Sequence, residues 1–489
     1  MQPLEILLLL PVIGAVITLL IPADRDKHIK AVSLIFSFAA LLWSAYLALG
    51  FNWLGAFQLT STYELFTLGA KGVPVSFSLG VDGLGMLMVL LTALLFVVST
   101  IVSFNITTRV REYFAMFLLL EAGVLGVFMA TDLFCFYVFW ELILIPMFLI
   151  IGIWGGANRQ YASVKFILFT LAGSLFMLLG FIGYYLESGS FSLVDPAQIS
   201  RDSQLVLFWF VFIGLAVKIP LFPFHTWLPD AHTEAPTAGS IILAGVLLKM
   251  GSYGFLRVLF PLFPYATEMF ATFLAALGVV NIVYGAFLAL ALKDIKRIIA
   301  ASSISHMGFV VLALATLSEM GFAAGTLQMI NHGIITGALF LLVGVIYDRT
   351  HKRGLDDFGG LYKVVPMYYG IMLLVTLAAI GLPGLNGFVS EFTCLLSGFI
   401  GFNARPEFHW LAAIGASGVV LGAVYMLRLV QKVFSGPVQD RWRGIPDIDA
   451  RETIAVLPLC FLIVFLGVAP GTIYDLMNGT MRTLEAIFR

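Results

Sequence analysis

The sequence predicts an all-α polytopic membrane protein of about 14 transmembrane helices, two of them discontinuous. Three observations lead there. Apolar runs of about 18 residues or more recur from end to end of the chain, each long enough to cross a bilayer. Charged residues make up 11% of the sequence and hydrophobic residues 60%, whereas a soluble domain carries about 25% charged residues. Two apolar runs are broken near their middle by proline and glycine. Bare backbone is intolerable in lipid and is allowed only where protein or a water-filled cavity satisfies it.

Taken in order, the spans run over 4–21, 29–49, 84–104, 112–130, 133–152, 162–186, 205–223, 236–260, 267–290, 300–318, 322–346, 367–398, 410–433 and 453–475. The first apolar run, Ile6 to Ile21, follows almost no positive segment and has no small-residue cleavage site, so it reads as a retained helix rather than a signal peptide. Only Thr131-Asp132 separates the fourth span from the fifth, and Ser318-Glu319 the tenth from the eleventh. Segment 50–83, with Gly, Pro and alternating polar residues around VPVSFSLGVDGL, reads as a short extramembrane hairpin or a re-entrant cover on the outer face.

Charge sets the orientation. Connections after odd-numbered spans hold 18 basic residues, among them Arg25, Arg109, Lys293, Arg349, Lys352 and Arg443. The other side holds six: Lys71, Arg201, Arg257, Arg405, Arg482 and Arg489. The positive-inside rule puts the richer set in the cytoplasm and both termini outside. The remaining three of the 27 basic residues, Lys218, Lys249 and Arg428, fall inside spans.

The seventh span reads GLAVKIPLFPFHTWLPD, where Pro220 and Pro223 cannot bond the carbonyls of Ala216 and Ile219. The twelfth reads VTLAAIGLPGLNGFVSEF, with Pro383 freeing the carbonyl of Ala379 and Gly381, Gly384 and Gly387 loosening the turn. Broken helices of this kind occur at ion sites in transporters, in matching positions of two repeats. The two breaks are five spans apart, and an odd offset requires the second copy to be inverted. The expected organisation is an N-terminal three-helix region with its outer loop (1–111), a first five-helix repeat (112–260), a second inverted five-helix repeat (261–435) and a C-terminal loop and last helix (436–489).

Lone charges inside the spans are the candidate site. A charge at the bilayer centre costs at least ~3 kcal/mol on insertion scales, so Glu141, Lys218, Lys249 and Glu391, of both signs and in separate spans, suggest an ion or proton route through a bundle interior. Lys218 lies two residues before Pro220, near carbonyls without helix partners; the alternative is a lysine snorkelling to the interface. Glu141 is its natural partner, either as a proton switch or as a static helix–helix bond. Lys249 carries a proton in the bundle centre or bonds a freed carbonyl. Glu391 passes a proton toward the exit side or caps its half-helix. His306 and His332 have an intrinsic pKa suited to relaying, though a lone buried histidine is often only a satisfied polar group. Ser303, Ser305, Thr326, Asn331 and Thr336 lie close by in sequence and are candidates for orienting water. His225, Asp230, His232 and Glu234 form either a hydrated inner entry or a locked loop. Glu121 and Asp132 flank the fourth span, and Glu121 is expected within the membrane.

Other chemistries lack a signature. Net charge is -1, and no basic block suggests nucleic acid. Cys135, Cys394 and Cys460 each lie alone in apolar sequence, so neither an iron–sulfur cluster nor structural zinc is expected in this chain. No GxGxxG after a strand and no Walker A motif is present.

FWELILIPMFLIIGIWGG, LAVKIPLFPFHTWLPDAHTEAPTAGSIILAGVLLKMGSYGFLR, ALKDIKRIIASSISHMGFV and LPGLNGFVSEF together resemble the antiporter-like membrane subunits of proton-pumping NADH:quinone oxidoreductase, respiratory complex I, over nearly the whole chain. Among these the chain is most similar to the M-type. Glutamate stands at 391, where the L- and N-type subunits are expected to carry lysine, and the chain ends soon after its last span, where the L-type continues into a long lateral helix. The resemblance implies that Glu141 and Lys218 form the first-half switch pair, that Lys249 is the central lysine, that His306 and His332 continue the polar axis, and that Glu391 ends it. It implies NADH, FMN, iron–sulfur clusters and quinone in partner subunits and no cofactor or metal in this chain. Its implied partners are L-like and N-like subunits, small membrane subunits and lipids, in a bacterial plasma membrane. It further implies about one proton moved per cycle. Two alternatives share the fold or the setting: a subunit of a multisubunit sodium/proton antiporter or membrane-bound hydrogenase, and a structural spacer that transports nothing.

Overall fold

Helix follows helix along almost the entire chain in the computed structural model, which describes residues 2–53, 56–68, 73–400 and 406–489. Helices α1 (Pro3–Leu20) and α2 (Asp26–Leu49) lead into an antiparallel hairpin of β1 (Gln58–Leu68) and β2 (Val73–Val81). The hairpin is the form taken by the segment expected as hairpin or re-entrant cover. Lys71 and Arg405, counted in the outer charge set, lie outside the described residues.

Next come α3 (Gly83–Val102), α4 (Val110–Met129), α5 (Leu133–Leu142), α6 (Leu144–Trp154), α7 (Arg159–Ser188) and α8 (Arg201–Lys218). Asp132 divides α4 from α5 by capping: its carboxylate accepts from the amides of Phe134 and Cys135. Burial pushes that carboxyl up to about 6, against the pull of the two amide bonds. After α8 the chain turns through α9 (Trp227–Glu234) into a buried rod of α10 (Thr237–Ile242), α11 (Leu248–Gly254) and α12 (Phe260–Leu262). The pieces of the rod are joined by two π turns, Leu243–Leu247 and Phe255–Leu259. The second half holds α13 (Pro264–Ala291), α14 (Ile295–Leu314), α15 (Glu319–Thr350), α16 (Pro366–Ala379), α17 (Asn386–Ile400), α18 (Pro406–Phe434) and α19 (Ala450–Val468).

The final apolar stretch ends earlier than expected. Residues 453–475 read as one span, but α19 stops at Val468, and beyond Pro470 the chain restarts as α20 (Gly471–Glu485), a short amphipathic helix. Proline lacks the N–H a continuing helix would need.

Among the described residues, 12 helices or helix pairs are long and apolar enough to cross a membrane. Their burial sorts them. The rod from Thr237 to Leu262 and helix α15 are 100% buried over their most apolar windows and α14 is 94% buried, whereas α2 and α18 are 28% and 33% buried. The core therefore contains the three elements that carry Lys249, His306 and His332, and the outer helices carry apolar faces.

Small residues set the closest helix contacts. A Cβ on Gly278 or Gly285 of α13 would lie 2.8 Å from the Leu312 amide nitrogen or 2.6 Å from that of Ser305, so α13 and α14 pack backbone against backbone. A Cβ on Gly251 of α11 would meet the Ile219 nitrogen and the Leu215 carbonyl at 2.9 Å, which brings the end of α8 against the rod.

Candidate functional site

The break after α8 begins at Lys218. Pro220 and Pro223 contribute no N–H, and the surrounding backbone finds other partners. Leu221 N–H donates to the Ala216 carbonyl, which Pro220 cannot reach, and the Trp227 indole donates to the Val217 carbonyl at 3.0 Å. Lys218 itself is 1% exposed. Its Nζ stands 5.3 Å above the Trp140 ring and 5.9 Å from that of Phe166, two aromatic faces that attract a cation. Glu141 is its expected partner, as a proton switch or a static bond, and Lys218 Nζ and Glu141 Oε1 are both buried without a hydrogen-bond partner among the described residues. Trp140, the neighbour of Glu141, occupies the position over the ammonium. The Tyr137 hydroxyl faces Glu141 and Ser174.

Lys249 sits between the two π turns. A π turn offsets the carbonyl ladder by one residue, and Lys249 Nζ donates to the Ala244 carbonyl, five residues back. The same nitrogen lies 2.6 Å from Nδ1 of His332 on α15. The His332 and His306 rings are 5.5 Å apart between centroids, and His306 Nδ1 is 2.7 Å from Glu391 Oε1. Four of the six expected residues thus form one line: Lys249, His332, His306, Glu391. A cavity of about 10 Å³ touches three of them, with Ser302, Gln328, Thr336 and Gly387 in its wall.

Glu391 owes its position to the second break. Gly381 and Gly384 adopt φ of +74° and +94°, conformations that a side chain disfavours. The Glu391 carboxylate packs over Gly381, where a Cβ would lie 3.3 Å from Oε2. Asn331 and Asn386 bond reciprocally across this break, the Asn331 amide to the Asn386 carbonyl at 2.8 Å and the Asn386 amide to Asn331 Oδ1 at 3.1 Å.

The other polar positions serve backbone and loops. Ser303, Ser305 and Thr336 donate to the carbonyls of Ile299, Ile282 and His332, while Thr326 Oγ1 is buried without a partner among the described residues. Asp230 takes Lys165 at 2.7 Å and Arg297 at 3.0 Å, and Glu234 accepts from the Asn158 amide at 2.9 Å, so these two acids lock the connection after α8. His225 lies 3.3 Å from the Tyr284 hydroxyl. His232 stacks on Phe340 at 4.6 Å, with both ring nitrogens unpartnered among the described residues. Beside this connection a cavity of about 250 Å³ is lined by Glu234, Lys296, Asp348 and Arg353. Glu121 is fully buried against Ser37 at 2.7 Å.

Two features escaped the sequence reading. Asp82 and Arg257 form a buried ion pair at 2.5 Å, and Asp82 also caps α3. Ser390 donates to Gln328 Oε1 at 2.5 Å beside the His306–Glu391 contact. The signal available for the first was an arginine counted as extramembrane although it stands in an apolar run.

Comparison with known proteins matches this geometry to one family. Residues 130–422 match the family described as "NADH:quinone oxidoreductase/Mrp antiporter, TM". The chain is 38% identical over 497 residues to NADH-quinone oxidoreductase subunit M of Rickettsia conorii, covering 99% of both proteins. It is 39% identical to NADH-ubiquinone oxidoreductase chain 4 of Chondrus crispus, covering 99% of this chain and 98% of that one. A chain in the structure of respiratory complex I from Thermus thermophilus with bound NADH superposes with a TM-score of 0.88 at 31% identity, covering 99% of this chain and all of that one. The chain belongs to the NADH:quinone oxidoreductase/Mrp antiporter family of membrane subunits.

Proposed function

We propose that this chain is the proton-translocating M-type subunit of an NADH:quinone oxidoreductase, and that Glu141, Lys218, Lys249, His332, His306 and Glu391 carry its protons. The observation that carries the reading is the line from Lys249 through His332 and His306 to Glu391 inside the most buried helices. Titratable groups cost too much there to be retained as filler.

The chemistry follows from the contacts. Between Lys249 Nζ and His332 Nδ1, one proton is shared: an ammonium donates to the imidazole lone pair, or a protonated Nδ1 donates to the neutral amine. A proton leaving by His332 Nε2, which is buried and unpartnered among the described residues, has His306 as the next acceptor. The cavity between them suits one water as a bridge. His306 then delivers to Glu391 across a single hydrogen bond. At the other end, protonation of Glu141 removes the negative charge nearest Lys218 and favours loss of the Lys218 proton. Electron transfer from NADH to quinone, with FMN and iron–sulfur clusters, belongs to partner subunits, and its free energy reaches this chain through the membrane arm.

In this reading the 12 apolar spans, α8 with its break, and the α16–α17 pair make up fourteen crossings. The organisation is 1–111, two inverted five-helix repeats at 112–260 and 261–435, and 436–489. Both termini face the periplasm in a bacterial plasma membrane, and L-like and N-like subunits and small membrane subunits flank the chain. The deciding experiment is NADH-driven proton uptake by vesicles holding the fully assembled complex. Lys249→Ala is expected to abolish uptake through this subunit, and wild-type uptake per NADH would refute the pathway.

A further inference from the structure

Asn281 lies within α13 and is fully buried. Its Oδ1 accepts from the Phe222 backbone N–H at 2.8 Å, and its Nδ2 donates to the Pro220 carbonyl at 3.0 Å. Both partners belong to the break after α8. Phe222 N–H can only donate and the Pro220 carbonyl can only accept, so the partners themselves fix which end of the amide faces which. A carboxamide offers a donor and an acceptor side by side, as a peptide group does. One side chain therefore satisfies two backbone groups of the break, the Phe222 N–H and the buried Pro220 carbonyl, and a buried group left unpaired is costly.

The same Nδ2 reaches the Ile304 carbonyl on α14 at 3.5 Å, and Ser305 Oγ donates back to the Ile282 carbonyl at 2.8 Å. With the glycine contacts described above, these bonds join α13 and α14 backbone to backbone. Lys218 stands two residues before Pro220, and His306 stands two residues after Ile304. Asn281 thus lies at the junction of two buried titratable sites on separate halves of the chain.

We propose that Asn281 is a positioning residue for proton transfer: by clamping the break at Pro220–Phe222 it fixes the Lys218 end of α8 and ties it to the helix bearing His306. The inference rests on the reading of Lys218 and His306 as proton carriers. Asn281 holds no exchangeable proton of its own in the line; it determines where the helix end that bears Lys218 sits relative to the second half.

Two variants in the assembled complex test it. Asn281→Leu removes both bonds at similar volume, and Asn281→Asp is nearly isosteric. Titratable groups around the introduced carboxyl are Lys218 at the end of α8, His225 and Tyr284 beside Phe222, and His306 on α14. When neutral that carboxyl reproduces both bonds, and when ionised it keeps only the one from Phe222. Hydrogen–deuterium exchange over 219–226 and protons taken up per NADH oxidised are measured across pH. Asn281→Leu is expected to speed exchange at Phe222 by about tenfold and to at least halve uptake. Asn281→Asp is expected to lose uptake with rising pH more steeply than wild type, a profile a purely structural residue would not alter. Unchanged exchange in Asn281→Leu, unchanged uptake, or an Asn281→Asp profile superimposable on wild type each overturns the proposal. If Asn281→Leu fails to assemble, the Asn281→Asp profile decides alone. Wild-type uptake in Lys218→Ala would instead remove Lys218 as a carrier, and the exchange result would still report on the clamp.

Discussion

Nζ of Lys249 and Nδ1 of His332 lie 2.6 Å apart, and among the described residues no acid is in hydrogen-bonding contact with either. A cation and an imidazole at this distance cannot both be charged without strong repulsion. In the proposed pathway lysine and histidine act as one site that holds one proton, and that site needs a lysine able to give the proton up.

Arginine cannot do so at any physiological pH. Lys249→Arg, which keeps the charge, is therefore expected to pump as poorly as Lys249→Ala, at least about tenfold below wild type. Proton uptake per NADH in vesicles with verified assembly checks it. Normal uptake by Lys249→Arg would reduce Lys249 to a fixed electrostatic post.

The 2.7 Å contact between His306 and Glu391 gives a graded series. Glu391→Asp is expected to retain part of the uptake, and Glu391→Gln to lose most of it, because an amide still bonds His306 but takes no proton. Glu391→Lys is expected to assemble and to pump poorly, since it reverses the charge that His306 faces. The same vesicle assay reads the series, and wild-type uptake in Glu391→Gln would leave Glu391 a structural acid.

Asp82 and Arg257 give a stability test. Both side chains are 6% exposed, so Asp82→Ala leaves a buried arginine alone and removes the α3 cap. The expected cost is ~3–5 kcal/mol, seen as a lower thermal midpoint of the purified complex. The double variant Asp82→Leu/Arg257→Met is expected to recover most of that loss.

Glycine at 387 makes a steric prediction. A Cβ there would run into the Ala378 carbonyl oxygen, whereas one on Gly50 meets nothing within 4 Å among the described residues. Gly387→Ala is expected to destabilise by about 1–3 kcal/mol and to disturb the Glu391 helix, while Gly50→Ala leaves thermal stability and uptake unchanged.

Orientation is tested by labelling. Single cysteines replacing Lys352 and Thr483, both exposed, are expected to react from the cytoplasm and from the periplasm respectively. Reaction of the Lys352→Cys site with an impermeant reagent added outside intact cells would invert the topology.

Much of the fold was legible because lipid leaves few choices. A lone charge in an apolar run must face the bundle interior, and Lys218, Lys249, His306, His332 and Glu391 are all buried. Proline and glycine marked both breaks. The geometry of pairing was not legible. Glu141 and Lys218 have opposite charge and suggest a pair, but only packing shows that Trp140 lies over the ammonium. Asn281 bonds residues 59 and 61 positions away, and an asparagine in an apolar helix does not announce its partner. The α19–α20 break was missed because Gly471–Tyr474 continues an apolar run across Pro470. The π turns leave no mark in the sequence because their backbone angles are nearly those of an ordinary helix.

Those π turns have a mechanical consequence. Each wide turn closes its hydrogen bond over one residue more than an α-turn does, and the two flank a seven-residue cylinder, Leu248–Gly254, that bears Lys249. A surplus residue is slack that a neighbouring turn can take up. The cylinder that bears Lys249 is thus bounded at each end by a register offset, while Gly251 on it packs against the end of α8, so a shift in the register of either turn would move the lysine head and press on α8 together.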